Sequence, residues 1–479
     1  MSRFTKQLIT LAALVVVCSG LALVYFSLGA EEYPEDTEPE VPPALATTRL
    51  IEQSEDELLR ATFISASGQS FTLEPRNDEA DRIYWIYAGN PDIELSRSDT
   101  RNLMRDIFSF SVTDTVIESV DNPEEFGIGR AVVTGYFKDG TSHTIRIGSM
   151  TPDRNRFYAM IDGDPALYLV NTAVGNRLSQ DIKDLVDRNL PLIEHMQLTH
   201  LFLKERGRTP IEFAFDGTQQ EMEDSIDRFG QLQLTMVTPF PGRDLFFSNF
   251  EMFALGDFLA FNPTEVAELF PEDLSVYGMD DPLLEFIMED AEGNGFHLIF
   301  GSYHNDEYIY VMYADRPHVF LGERRHMESL LGVNPFNFIE RFVFITDIFG
   351  VERVTIQSTR GDYDMLLNHF TDENDRDQIA PLVDGQEVPD RGFRQFYQTL
   401  IGLVLEHEIE QIDNPGTPDI TLTYHFIDVN EPPTVVDIFT YDLGFYAIRV
   451  RPYPVQFVTS RMSVDLIFST LEDLLNDEP

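Results

Sequence analysis

Carboxylates dominate the side chains that could do chemistry: the chain of 479 residues holds 82 Asp and Glu. Adjacent pairs such as Glu272-Asp273 and Asp280-Asp281 are the residue types of acid–base glycan cleavage, which sets a protonated carboxyl and an ionised one on either side of a bond. In a chain this acidic such pairs arise throughout, and no spacing singles one out. His195 with His200 and His297 with His304 fit neither the HExxH helix nor another zinc-ligand spacing. Asp372-Glu-Asn374-Asp-Arg376-Asp377 opens like a calcium loop, but Arg376 stands where an oxygen ligand is needed and the turn glycine is missing. Gly127-Ile-Gly129 is followed by Arg130-Ala-Val, and no Gly-Lys-Ser/Thr occurs, so no loop is built to cradle phosphates. There is no Gly-x-Ser-x-Gly elbow either. The sequence therefore designates no catalytic, cofactor-binding or metal-ligating residue and implies no cofactor. A non-enzymatic protein is the expectation. The alternatives are an envelope polysaccharide or peptide hydrolase working through carboxylates, and an extracytoplasmic cation or ligand sensor using the Thr371 to Asp377 loop.

Where this chemistry would be displayed is set by the N-terminus. Residues 8–30 form an apolar run without an internal charge, long enough at about 1.5 Å per residue to cross roughly 30 Å of hydrocarbon. Arg3 and Lys6 precede it, and Glu31, Glu32, Glu35 and Asp36 follow, so the positive-inside rule keeps the tip cytoplasmic and sends the bulk outside. Three readings compete for the run. A cleaved signal peptide would use Ser27 and Gly29 as small residues flanking a cut, but the apolar core exceeds the roughly 7–15 residues usual there, which favours a retained signal anchor. A lipoprotein would use Cys18, where Val17 is too large for the residue before the modified cysteine. Cys18 is the only cysteine, so the exported part can form no disulfide within one chain and offers neither a reactive thiol nor a Cys-based zinc site. The expectation is a bacterial inner-membrane protein, single pass, with a periplasmic or extracytoplasmic bulk.

The balance of 82 acidic against 34 basic residues gives a formal charge of −48, which repels nucleic-acid phosphates and anionic lipid headgroups. Nucleic acid is excluded as a partner on this ground. Disorder does not follow from the charge, because 43% hydrophobic and 12% aromatic residues supply ample core material. Residues 31–48, rich in Glu, Pro and Asp, read as an extended acidic linker.

Beyond the linker, short β-branched and aromatic runs alternate with Gly, Asp and Asn turns and a few helical stretches, and the pattern repeats. Pro123-Glu-Glu-Phe-Gly-Ile and Pro271-Glu-Asp-Leu-Ser-Val-Tyr-Gly-Met each open a copy of one motif. Ala131 to Phe137, a Lys138-Asp-Gly turn and Ser142 to Ile147 predict a hairpin in the first copy. Leu284 to Glu289, Gly293-Asn-Gly295 and Phe296 to Phe300 predict its counterpart. Aromatic strands at 156–160 and 307–312 follow, then strands at 166–170 and 318–321, then helical stretches at 178–186 and 327–331. A third, divergent copy has strands at 420–426, 435–441, 444–450 and 455–459 and a helix at 464–475. The front halves predict strands at 59–65, 71–74 and 83–87 with a helix at 98–110, and strands at 198–204, 211–215 and 232–237 with a Phe-rich stretch at 247–259. In the third copy Phe393, Phe396, Tyr397, Leu400, Ile401 and Val404 mark one helical face. The expected fold is α+β: an N-terminal transmembrane helix, then three tandem modules of mostly antiparallel sheet with one or two packed helices each. The module bounds are 49–190, 191–345 and 346–479.

The anchor, the linker, the strand carrying Trp85 and the Phe126-Gly127-Ile128 and Tyr277-Gly278-Met279 turns together resemble the domain-of-unknown-function 4340 family. Asp281-Pro282 keeps the proline of that family's turn, whereas Gly129-Arg130 does not. Gly148 with Phe157-Tyr158-Ala159, and Gly301 with Tyr308 to Val311, extend the resemblance over nearly the whole chain. The resemblance implies no catalytic residues. It implies a membrane-anchored envelope protein accompanying ABC-type export systems similar to gliding-motility transporters. Envelope or transporter proteins are then the expected partners, the inner membrane is engaged through residues 8–30, and the small-molecule ligand is unknown.

Overall fold

The computed structural model describes residues 47–229, 232–258 and 260–476. The expected anchor at 8–30, and nearly all of the linker at 31–48, lie outside these residues. Among the described residues no helix is long and apolar enough to cross a membrane. Contacts divide the chain into two compact units, one ending at Leu185 and the other beginning at Val186.

The first unit is built on an eight-stranded antiparallel sheet. Counted in chain order, its strands are Leu58–Ile64, Ser70–Asn77, Ile83–Tyr87, Asp114–Ile117, Ala131–Phe137, Ser142–Met150, Arg156–Ile161 and Leu167–Asn171. They lie side by side as third, second, first, fifth, sixth, seventh, eighth, fourth. The alternation visible in the sequence is the alternation of faces: Ala131, Val133, Gly135 and Phe137 are buried while the residues between them are half-buried. The helix Arg97–Phe108 buries Leu103, Met104 and Ile107. Ser96 caps it, its hydroxyl accepting from the Asp99 N–H at 3.3 Å.

The second unit holds two sheets. The first of them repeats the strand order without change, using Leu198–Glu205, Ile211–Ala214, Thr235–Thr238, Glu265–Glu268, Leu284–Asp290, Gly295–Tyr303, Tyr308–Tyr313 and Val319–Glu323. The other has nine strands in the same arrangement, with the short strand Gln386–Glu387 added at one edge. Its core includes Phe393, Phe396, Tyr397 and Leu400 from the helix Asp390–Ile401. At roughly 1.5–3 kcal/mol for each such side chain, that face contributes on the order of 6–12 kcal/mol as an upper estimate. The two sheets are joined tightly. Phe240 meets Phe457 edge-on at 4.9 Å, Gln456 Nε2 donates to the Pro239 carbonyl at 3.1 Å, and the Arg243 guanidinium donates to the carbonyls of Glu340, Phe342 and Val343.

The α+β class, the mostly antiparallel pairing and the repeated sheet modules are thus as the sequence predicts. Several elements differ in place. The helical stretches expected at 178–186 and 327–331 begin earlier, at Thr172–Leu178 and Arg324–Glu328. In the first case Asn171 sets the start by accepting the Val174 N–H at 2.9 Å. Val404 lies beyond its helix and bridges to Phe342. The middle module carries an extra helix, Gln219–Phe229. Its signal is a capping box: the Glu221 carboxylate accepts from the Thr218 N–H at 2.7 Å, and the Thr218 hydroxyl accepts from the Glu221 N–H at 3.3 Å. Thr218→Ala is expected to cost about 1 kcal/mol. Urea denaturation should show the midpoint falling with the slope unchanged, and an unmoved midpoint would mean the box contributes nothing.

Candidate functional site

The repeated aromatic-glycine turns are structural. Gly127 and Gly278 adopt φ of 66° and 75°, a region open to glycine at little cost. In each copy the turn seats against a glycine in the sixth strand. A Cβ on Gly148 would lie 2.5 Å from the Phe126 carbonyl oxygen, and one on Gly301 would lie 2.0 Å from that of Tyr277. The strand breaks register at both places, between Ile147 and Met150 and between Phe300 and Tyr303, so a bulge makes room for the turn. The turn's aromatic ring then meets the aromatic strand edge-on: Phe126 on Tyr158 and Tyr277 on Tyr310, both at 5.0 Å. These spacings in the sequence therefore encode one joint, made twice.

The candidate chemical groups do not converge. Asp273 caps its own turn through the Ser275 N–H at 2.9 Å, Asp281 faces Arg206 at 3.1 Å, and Glu272 and Asp280 are exposed. His200 pairs with Glu212 at 3.1 Å, and His304 Nδ1 lies 2.7 Å from the Tyr310 hydroxyl. His318 is buried, and its Nδ1 lies 2.8 Å from the Leu269 carbonyl oxygen. Burial holds this imidazole below its ordinary pKa despite that hydrogen bond. Among the described residues no three His, Cys, Asp or Glu side chains are grouped as a metal ion would need. The acidic loop after Thr371 is a hairpin turn in which Asp372 Oδ1 accepts from the N–H groups of Asn374 at 2.7 Å and Arg376 at 3.0 Å.

Sequence reasoning missed a cleft of about 380 Å³ in the second unit. Its floor is aromatic: Phe258 stacks on Phe261 at 5.4 Å and lies tilted to Phe296 at 6.0 Å, and Phe258 also meets the buried Phe286 edge-on at 4.8 Å. One wall is the segment Asn189 to Ile193, and hydrogen bonds fasten that segment at both ends. Arg316 donates to the Asp187 carbonyl at 3.1 Å, the Tyr313 hydroxyl to that of Arg188 at 3.0 Å, and Arg188 to that of Thr264 at 2.5 Å. At the far end the Glu194 N–H donates to Asp290 at 3.0 Å. Asp290 is buried and also accepts from the N–H groups of Glu292 and Asn294. Burial alone would raise its pKa, and the convergent N–H donors reverse this and hold it below the usual carboxylate range. Between the fastenings, the peptide groups of Leu190, Leu192 and Ile193 form no hydrogen bond with another described residue. The one signal in the sequence was an apolar run, Leu190-Pro-Leu-Ile193, placed in what reads as a connection.

The cleft sets an apolar floor of ordinary ligand-pocket size beside half-exposed His195 and exposed Asn262, an arrangement that can take an apolar group out of water.

No curated protein and no solved structure matches the chain. The family model described as Domain of unknown function (DUF4340) matches two stretches, residues 85–236 and 259–400. The first starts within the edge strand Ile83–Tyr87 and ends in the corresponding edge strand of the next sheet, Thr235–Thr238. The second ends within the helix Asp390–Ile401, so both stretches run out of phase with the sheets. With more than half of its length matched in this way, the chain belongs to the family described as Domain of unknown function (DUF4340).

Proposed function

We propose that this protein is a non-enzymatic accessory subunit of an ABC-type envelope transport system, held in the bacterial inner membrane by residues 8–30 and presenting its modules outside the cytoplasm. The observation that carries the reading is the uncharged apolar run behind Arg3 and Lys6, followed at once by the acids of the linker. The resemblance stated above supplies the transporter. Support from the fold is the repeated sheet module, with an open apolar cleft in the second unit and candidate carboxylates that do not converge. Such a molecule holds and positions other proteins. Affinity purification of the tagged full chain from membranes in mild detergent should recover a permease or another envelope protein in fixed ratio. Recovery of the chain alone, or from the soluble fraction, would overturn the proposal.

A further inference from the structure

The cleft bordered by Leu190 to Ile193 combines features that point to one kind of occupant. Its floor offers Phe258, Phe261 and Phe296, an environment that takes apolar side chains out of water. Its wall offers a short run of backbone groups, the N–H groups of Leu190, Leu192 and Ile193 and the carbonyls beside them, that pair with no other described residue and are held in place from both ends. A free main-chain edge beside an apolar trough is how extended peptides are recognised: main-chain hydrogen bonds supply pairing and side-chain pockets supply selection. Leu192 in the wall is 93% exposed and Met196, four residues further along the chain, 44%, so this stretch presents apolar side chains to solvent beside the trough. Asp187 and Glu194 bracket the segment, and the two cations at its start, Arg188 and Arg316, already donate to the carbonyls of Thr264 and Asp187. With the whole chain at −48, an acidic ligand would be repelled and a basic one drawn in.

We propose that this cleft binds an extended segment of a partner protein, with a short apolar core flanked by Lys or Arg. The core enters the aromatic trough, and the segment's main chain pairs with Leu190 to Ile193. The inference rests on the proposed role as a partner-binding subunit and names the chemistry of one contact.

The test uses the full chain in lipid nanodiscs, since detergent would compete for the trough. The probe is a fluorescently labelled peptide Lys-Lys-Leu-Phe-Leu-Lys-Lys, followed by anisotropy. Saturable binding is expected. It should weaken at least tenfold when the core is replaced by three serines, when the outer residues become glutamates, or when the core amides are N-methylated. Leu192→Asp, at an exposed position, should weaken it at least tenfold without moving the thermal transition, and Ala260→Trp, which fills the trough from its exposed rim, should do the same. Equal binding of the serine peptide would show bulk charge attraction, and equal binding of the N-methylated peptide would remove the main-chain pairing. Either result overturns the proposal, as does indifference to both variants, or binding of dodecanoate at this site with no peptide binding. A chain that co-purifies with a transporter yet ignores every peptide keeps its accessory role and loses this site.

Discussion

Gly301→Ala is expected to destabilise the second unit by about 3 kcal/mol, a cost in the overpacking class. The added Cβ would fall 2.0 Å from the Tyr277 carbonyl oxygen and 3.1 Å from the end of Met279. The first obstacle is backbone and cannot rotate away. Relief requires the turn to lift from the bulge, which also parts Tyr277 from Tyr310 and disturbs the buried cluster of Met279, Met312 and Val319. A fall of roughly 5–10 °C in the thermal midpoint corresponds to that cost for a unit of this size. Gly350→Ala is the control: nothing lies within 4 Å of its added Cβ, and it should change stability by less than about 0.5 kcal/mol. Equal effects of the two substitutions would show that the close approach is not what glycine is needed for.

Asp437→Asn is the second large effect. The carboxylate is fully buried, and it accepts from Arg449 Nε at 2.8 Å, from Arg451 Nε and Nη2 at 2.7 and 2.8 Å, and from the Thr421 hydroxyl at 3.2 Å. Removing one partner of a buried ion pair costs about 3–5 kcal/mol. The guanidiniums keep 25% and 49% of their exposure, so the lower figure, about 3 kcal/mol, is expected here. The pH dependence has a definite sign. Burial pushes the Asp437 pKa up, but the hydrogen bonds and charges of Arg451 and Arg449 outweigh it and leave the folded value below the ordinary one. A depressed folded pKa contributes stability that is complete above the unfolded value of about 3.9 and is lost as pH falls below it. The wild type should therefore lose stability more steeply than Asp437→Asn below about pH 4. Parallel curves from pH 6 down to 2 would refute the assignment.

What the sequence revealed and concealed has a physical pattern. Ala131–Phe137 and Ile420–Phe426 have the ends predicted for them, because each strand buries alternate residues and so writes its register into its composition. Asp114–Ile117 and Glu265–Glu268 did not announce themselves. They are short outer strands, with every residue of the first exposed, and they are held by pairing with the eighth strand of their sheets. The joint at Gly148 and Gly301 was legible as a motif but not as a contact, since its meaning lies in two carbonyl oxygens distant along the chain. The cleft was less legible still. Its wall, floor and back come from residues 189–193, Phe258, Ala260, Phe261, Asn262, Met288 and Phe296, and none of these stretches carries a periodicity that points to the others.

The offset between the matched stretches and the sheets bears on how this protein can be cut. In each of the three large sheets the first strand pairs with a strand from the far half of its module, Leu58–Ile64 with Ala131–Phe137 in the first. A fragment trimmed to residues 85–236 would begin after both Leu58–Ile64 and Ser70–Asn77. Ala131–Phe137 would then lie bare along one side, a template for pairing between molecules. Expression pieces designed on the matched stretches should precipitate, whereas a piece ending at Leu185, where the contacts divide, retains every rung of its ladder.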